Sequence, residues 1–190
     1  MEKTFEDKIY SKDDFKDNKF DRGEYDNCIF RHCDLQGADF STSLFIDCSF
    51  EHCDLSRVKL NNTTFRDVKF RDSKLMGIHF ENCNKFGWSF TFEKCLLNHS
   101  SFYRAQLKKI IFRDCQLVEV DFTESDLTEA VFNGCNLSGA RFEQTILEKA
   151  DLRTSTAYTI HPEINRIRRA KFSLAGVAGL LDRYDIDIEF

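Results

Sequence analysis

At 190 residues, with 42% hydrophobic residues and a formal net charge of −5, the chain is one domain or one repeat array rather than a disordered polymer. Its apolar runs are too short to cross a bilayer, and Met1–Lys8 holds no apolar core of a secretion signal; a cytoplasmic chain with reduced cysteines is expected. Twenty Phe against a single Pro, Pro162, demand a regular place to stack aromatic rings, and so direct the search to internal repeats.

From Tyr10 onward every fifth residue is Phe, Tyr or Leu: Tyr10, Phe15, Phe20, Tyr25, Phe30, Leu35, and so on without exception to Phe80. The residue two before each centre is small or compact, as in Cys28, Cys33, Ala38, Ser43, Cys48 and Cys53. The other three positions of each pentad are mostly charged or polar. Near residues 84–91 the register slips by two, across a stretch that carries the only Trp, Trp88. This slip is predicted as a β-bulge with Gly87 relaxing the backbone, since two extra residues make a poor recognition loop. The pattern resumes at Phe92 and runs through Leu97, Phe102, Leu107 and Phe112 to Leu152. In all, 28 centres conform and 15 of the 20 Phe occupy them, which makes chance untenable.

A period of five is neither the 3.6 of a helix nor the 2.0 of a strand. It requires a backbone that changes direction every five residues, with two side chains inward and three outward. Four such sides close a square coil of twenty residues, and coils stack about 4.8 Å apart by strand-type hydrogen bonds. Centres twenty apart match in type, as Phe92, Phe112 and Phe132 do, and Leu97, Leu117 and Leu137. Like stacks on like.

The pattern resembles the pentapeptide-repeat family, whose motif is written loosely Ala-(Asp/Asn)-Leu-X-X. Gly37-Ala38-Asp39-Phe40-Ser41 and Lys149-Ala150-Asp151-Leu152-Arg153 fit it closely, and the likeness covers residues 10 to 152. It implies an all-β solenoid, a right-handed quadrilateral β-helix, here of about seven coils. The repeats are assigned to residues 1–160.

Residues 161–190 are assigned to a capping and dimerisation module, because a solenoid must cover its open end. Ser173 is read as an N-cap for an α-helix from about Leu174 to Arg183, followed by a strand in which Tyr184, Ile186, Ile188 and Phe190 alternate with acidic residues. The stretch Pro162-Glu163-Ile164-Asn165-Arg166-Ile167 resembles the C-terminal module of the microcin-immunity and quinolone-resistance members of the family, which dimerise through that end. A homodimer is therefore expected, joined through Leu174, Val177, Leu180, Leu181, Ile186, Ile188 and Phe190.

Catalysis finds no support. No phosphate-cradling glycine loop occurs, and carboxylates such as Asp121 and Asp126 recur at the repeat spacing. All eight cysteines fall in the inward small-residue register and no Cys-X-X-Cys occurs, so they read as small hydrophobes without metal or cofactor. His32-Cys33 and His52-Cys53 put neighbours on opposite sides of the wall.

Residues 153–190 carry net +1, leaving −6 for residues 1–152. From Asp114 to Ala140 stand Asp114, Glu119, Asp121, Glu124, Asp126 and Glu129 with no basic residue, and this stretch is the candidate recognition face. Direct nucleic-acid binding is disfavoured. The family resemblance implies the reverse case, a DNA-like rod that occupies the DNA saddle of gyrase or topoisomerase IV, both type II topoisomerases. Seven coils give a rod of about 35 Å, a length over which duplex DNA carries about twenty charges. The net charge supports mimicry on one face at most, and a general protein-interaction scaffold is the alternative.

Overall fold

The computed structural model describes residues 3–15, 20–84, 87–187 and 189. Among these residues the chain forms eleven short strands, all paired in parallel. They are β1 (Lys3–Glu6), β2 (Ile9–Tyr10), β3 (Gly23–Asp26), β4 (Ile29–Arg31), β5 (Leu44–Ile46) and β6 (Ser49–Glu51). Then follow β7 (Thr64–Arg66), β8 (Val68–Arg71), β9 (Phe90–Glu93), β10 (Ile111–Arg113) and β11 (Val131–Asn133). One wall is the sheet β1-β3-β5-β7, and the next is β2-β4-β6-β8-β9-β10-β11. Strands form where the residue before the centre is often β-branched, as at Ile29, Thr64, Ile111 and Val131, which suits an extended, half-covered surface. The remaining two walls are built from tight turns joined by single bridges such as Asp34↔Asp54 and Ser101↔Asp121. The fold is the expected right-handed four-sided β-helix.

The five-residue reset has a visible cause. Two residues past most centres the backbone enters the left-handed region, at Asn27 (φ 49°), His32 (φ 53°), Asp47 (φ 49°) and His52 (φ 54°) among many others. Such a corner costs a non-glycine residue about 1–2 kcal/mol, so the stacking around it must offset that cost. Many turns close with a hydrogen bond across the corner, as Ala38 N–H to Leu35 O at 3.0 Å. The Asp or Asn before the centre accepts from the amide two residues on: Ser41 N–H to Asp39 Oδ1 at 3.0 Å, and Thr123 N–H to Asp121 Oδ1 at 2.9 Å. That bond is the physical reason for the second position of the repeat motif.

Inside, the centres form ring columns. Phe30 lies 4.5 Å from Phe50, Phe50 5.2 Å from Phe70, Phe70 5.2 Å from Phe92, and Phe92 5.3 Å from Phe112, with planes within 15°. The column on the opposite wall, Phe80 to Phe142, meets this one edge-on, with 75° between Phe112 and Phe122. Stacked and edge-to-face contacts are both favoured by the ring quadrupole. The inward cysteines do more than fill space: Cys48 Sγ donates to Tyr25 O at 3.3 Å and Cys53 Sγ to Phe30 O at 3.3 Å, tying each coil to the one before it.

At the slip, Lys69 pairs with Thr91, so the wall resumes after two extra residues. Phe90 is buried beside Phe92, half-buried Trp88 packs on it with ring centroids 5.6 Å apart, and Gly87 turns left-handed (φ 74°).

Three features depart from the sequence reading. Coiling begins at Lys3 and continues past Leu152, with bridges Ile146↔Arg166 and Asp151↔Lys171, so the number of turns differs slightly from seven. Ile167 and Phe172 pack against the core twenty residues beyond Leu147 and Leu152. The α-helix expected over 174–183 is instead two 3-10 turns, Val177–Leu180 and Asp182–Tyr184. The reason is glycine: a Cβ at Gly176 would overlap the Tyr158 hydroxyl and one at Gly179 the Tyr158 carbonyl oxygen, so the chain is laid flat on the last coil. Two glycines also weaken a regular helix. The expected terminal strand is not formed by Tyr184–Asp187, because Asp185 adopts φ 49° and breaks the extended run; Ile188 and Phe190 lie outside the described residues.

Candidate interaction surface

The acidic stretch does not gather on one face. Asp114, Glu119, Glu124 and Glu129 are the four left-handed corners of successive sides, with φ between 53° and 60°, so they point to four corners of one square coil. Asp121 and Asp126 lie on two adjacent walls, bridged to Arg141 and Ile146 of the next coil. Nor is the stretch left without counterions. Glu124 meets Arg104 at 2.7 Å and Asp126 meets Lys108 at 3.3 Å, while Glu119 lies 3.2 Å from the ring nitrogen Nδ1 of His99. Glu129 stands between Lys149 at 2.8 Å and Lys109 at 3.9 Å, and Asp121 faces Arg141 at 3.9 Å. The Arg104 hydrogen bond holds the Glu124 carboxyl below its ordinary range, and the Lys149 hydrogen bond does the same for Glu129. A run of like charge in a solenoid is answered from the coils above and below. Exposed pairs of this kind are each worth about 0–1 kcal/mol, but they cancel local potential.

The end of the rod exposes several apolar side chains. Leu174 is 84% exposed and Ile186 55% exposed, and Val177 is also exposed, while Leu180 packs on the core and Leu181 is half-buried. Leu180 therefore serves the cap, whereas Leu174, Val177 and Ile186 remain free on it. Asn165 was not foreseen as important. It occupies the inward small-residue slot of the last coil, 7% exposed, where Nδ2 donates to Phe142 O and to His161 O at 3.0 Å and Oδ1 accepts from Thr145 N–H at 2.8 Å. Its place, twenty residues after Thr145, could have been found by extending the period.

All eight cysteines are buried and free. Burial pushes the Cys48 thiol up to about 12 and raises Cys83 as well, which suppresses the thiolate at those two positions. No group of three or more metal-ligating side chains is assembled among the described residues. No helix among them is long and apolar enough to cross a membrane.

Two segments, residues 23–91 and 88–161, match the family model described as pentapeptide repeat region. The chain belongs to the pentapeptide-repeat family. This pentapeptide-repeat protein is similar in fold to a trypsin-treated form of QnrB1, a plasmid-mediated fluoroquinolone resistance protein, with a TM-score of 0.53, 17% identity and 100% of each chain covered. Full-length QnrB1 gives a TM-score of 0.50 at 16% identity, covering 97% of this chain and 100% of QnrB1. A search of curated proteins found no match to the sequence.

Proposed function

We propose that this pentapeptide-repeat protein is a non-catalytic, cytoplasmic binding rod whose partner is a type II topoisomerase and which acts as a homodimer joined at its C-terminal turns. The observation that carries the binding role is the wall itself. Its outward polar groups answer one another from coil to coil, which leaves a rod of uniform section that recognises by shape. Pairing from Ile9 to Lys171 spans about 38 Å at strand spacing. The topoisomerase is supported by the correspondence of this chain, end to end, with a fluoroquinolone resistance protein. The dimer is supported by Leu174, Val177 and Ile186, an apolar group left on the cap.

A second reading, a protein-interaction scaffold for another partner, is favoured by one finding. Glu124, Asp126 and Glu129, which would imitate DNA phosphates, are paired with Arg104, Lys108, Lys109 and Lys149. Supercoiling by purified gyrase, with and without a fluoroquinolone, separates the two. The protein should restore activity to the drug-inhibited enzyme at near-stoichiometric concentration; no effect up to large excess leaves the scaffold reading. Light scattering should give twice the 22.3 kDa chain mass, and a monomer at micromolar concentration would refute the dimer.

A further inference from the structure

Stacking supplies many exposed cations of this rod with a counterion one coil away. Arg31 lies 2.9 Å from Glu51, Arg71 3.5 Å from Glu93, Lys74 3.8 Å from Asp54, and Arg166 meets Glu148 at 2.6 Å. Arg57 is among the cations that have no such partner, and its surroundings show why. Its corner column is Gly37, Arg57, Gly77, with Gly37 and Gly77 in the left-handed conformation (φ 68° and 63°), so neither neighbouring coil offers a side chain to it. A Cβ added at Gly37 would meet nothing within 4 Å, and one at Gly77 would touch Arg57 Cγ at 3.6 Å. Lys59, on the next wall, has Asp39 before it and His79 after it. Asp39 is already held by Arg22 and by Ser41 N–H, and His79 Nδ1 by Glu81 Oε1 at 2.9 Å. Among the described residues neither Arg57 nor Lys59 makes an ion pair.

The two cations border one groove of about 240 Å³, which Asn61, Gly77, His79 and Asn82 complete. Arg57, Lys59, Asn61 and Asn82 can each donate a hydrogen bond, and no carboxylate lines the groove. The groove is smaller than the roughly 300–1,000 Å³ of sites for drug-sized ligands. A guanidinium fork, an ammonium and side-chain amides bordering a small concave space match a tetrahedral oxyanion with several acceptor oxygens. We propose that the groove between Arg57 and Lys59 is a binding site for a phosphate group, free or carried as a phosphomonoester.

The test is a titration of the full chain with inorganic phosphate, followed by amide shifts in nitrogen–proton correlation spectra. Saturable shifts should centre on Gly77, Asn82 and the Arg57–Asn61 backbone, and chloride at matched ionic strength should not reproduce them. Arg57→Gln with Lys59→Gln, both exposed, should weaken binding at least about tenfold, as loss of charge-assisted hydrogen bonds implies. Lys69→Gln, an exposed cation on another wall, should not change it. Phosphoserine titrated in parallel distinguishes the sources: tighter binding than inorganic phosphate marks a phosphorylated side chain, and equal binding marks the free ion. Shifts spread evenly over all basic residues, identical shifts with chloride, or an unchanged affinity in the double variant would overturn the proposal.

Discussion

Replacing Phe122 with Ala removes one ring from the middle of a column. Phe122 is fully buried, stacked 5.4 Å from Phe102 and 5.2 Å from Phe142, and meets Phe112 and Phe132 edge-on at 6.1 and 5.9 Å. The wall cannot collapse into the space, because the coils above and below are held apart by backbone bonds such as Phe122 N–H to Arg141 O at 2.9 Å. The cost should therefore lie in the upper part of the usual range for Phe→Ala, about 4–5 kcal/mol, cavity included. For a chain of this size each kcal/mol moves the melting temperature by about 2–4 °C, so a fall of at least about 8 °C is expected by circular dichroism. Phe122→Asp should be worse, since it buries an unpaired carboxylate. Glu143→Gln, exposed on the same wall, should change nothing measurable. A fall below about 3 °C for Phe122→Ala would refute the view that ring columns hold the coils together.

Gly179→Ala should dislodge the cap, because the new Cβ overlaps the Tyr158 carbonyl oxygen and threatens the bond from Ile160 N–H to Gly179 O; hydrogen exchange should quicken over residues 173–187 while the coils keep their protection. Asn165→Ala leaves the Phe142 and His161 carbonyls and the Thr145 amide without that partner and should cost about 3 kcal/mol in urea unfolding. The eight thiols should resist an aromatic disulfide reagent at pH 8 until denaturant is added, since all are buried inside the coil; rapid native labelling would contradict it. Glu124, Glu129 and Asp151 are depressed in the folded chain by Arg104, Lys149 and Arg153 respectively. Their contribution is present above the ordinary carboxyl values of 4.5 and 3.8 and is lost as pH falls through the lower folded values, so the melting temperature should decline on acidification from about pH 4.5.

The coil was legible because each pentad repeats one local instruction: a bulky centre, a small residue two before it, and a polar corner. What escaped was relational. The run from Asp114 to Glu129 looks acidic along the chain, yet its neighbours in space are twenty residues away, where Arg104, Lys109 and Lys149 stand. His161 and Pro162 break the pattern in sequence, while Asn165, Ile167, Ala170 and Phe172 quietly keep it, so the last coil was missed. The cap was misread because an apolar stripe and a Ser173 cap suggested a helix, whereas Gly176 and Gly179 are there for contact with Tyr158.

The four-cornered coil also sets which length changes this lineage can accept. Duplicating twenty residues returns the chain to the same corner and lengthens the rod by about 4.8 Å, leaving every downstream wall aligned. Duplicating a single pentad turns everything after it by a quarter revolution, so the C-terminal turns would face a different side relative to the groove at Arg57 and Lys59. Two residues were accommodated at the slip near Trp88 only because the wall there swallowed them, with Phe90 taken into the core. Insertions in whole coils should therefore be neutral for the mutual orientation of the two ends, and insertions in pentads should re-aim one end against the other.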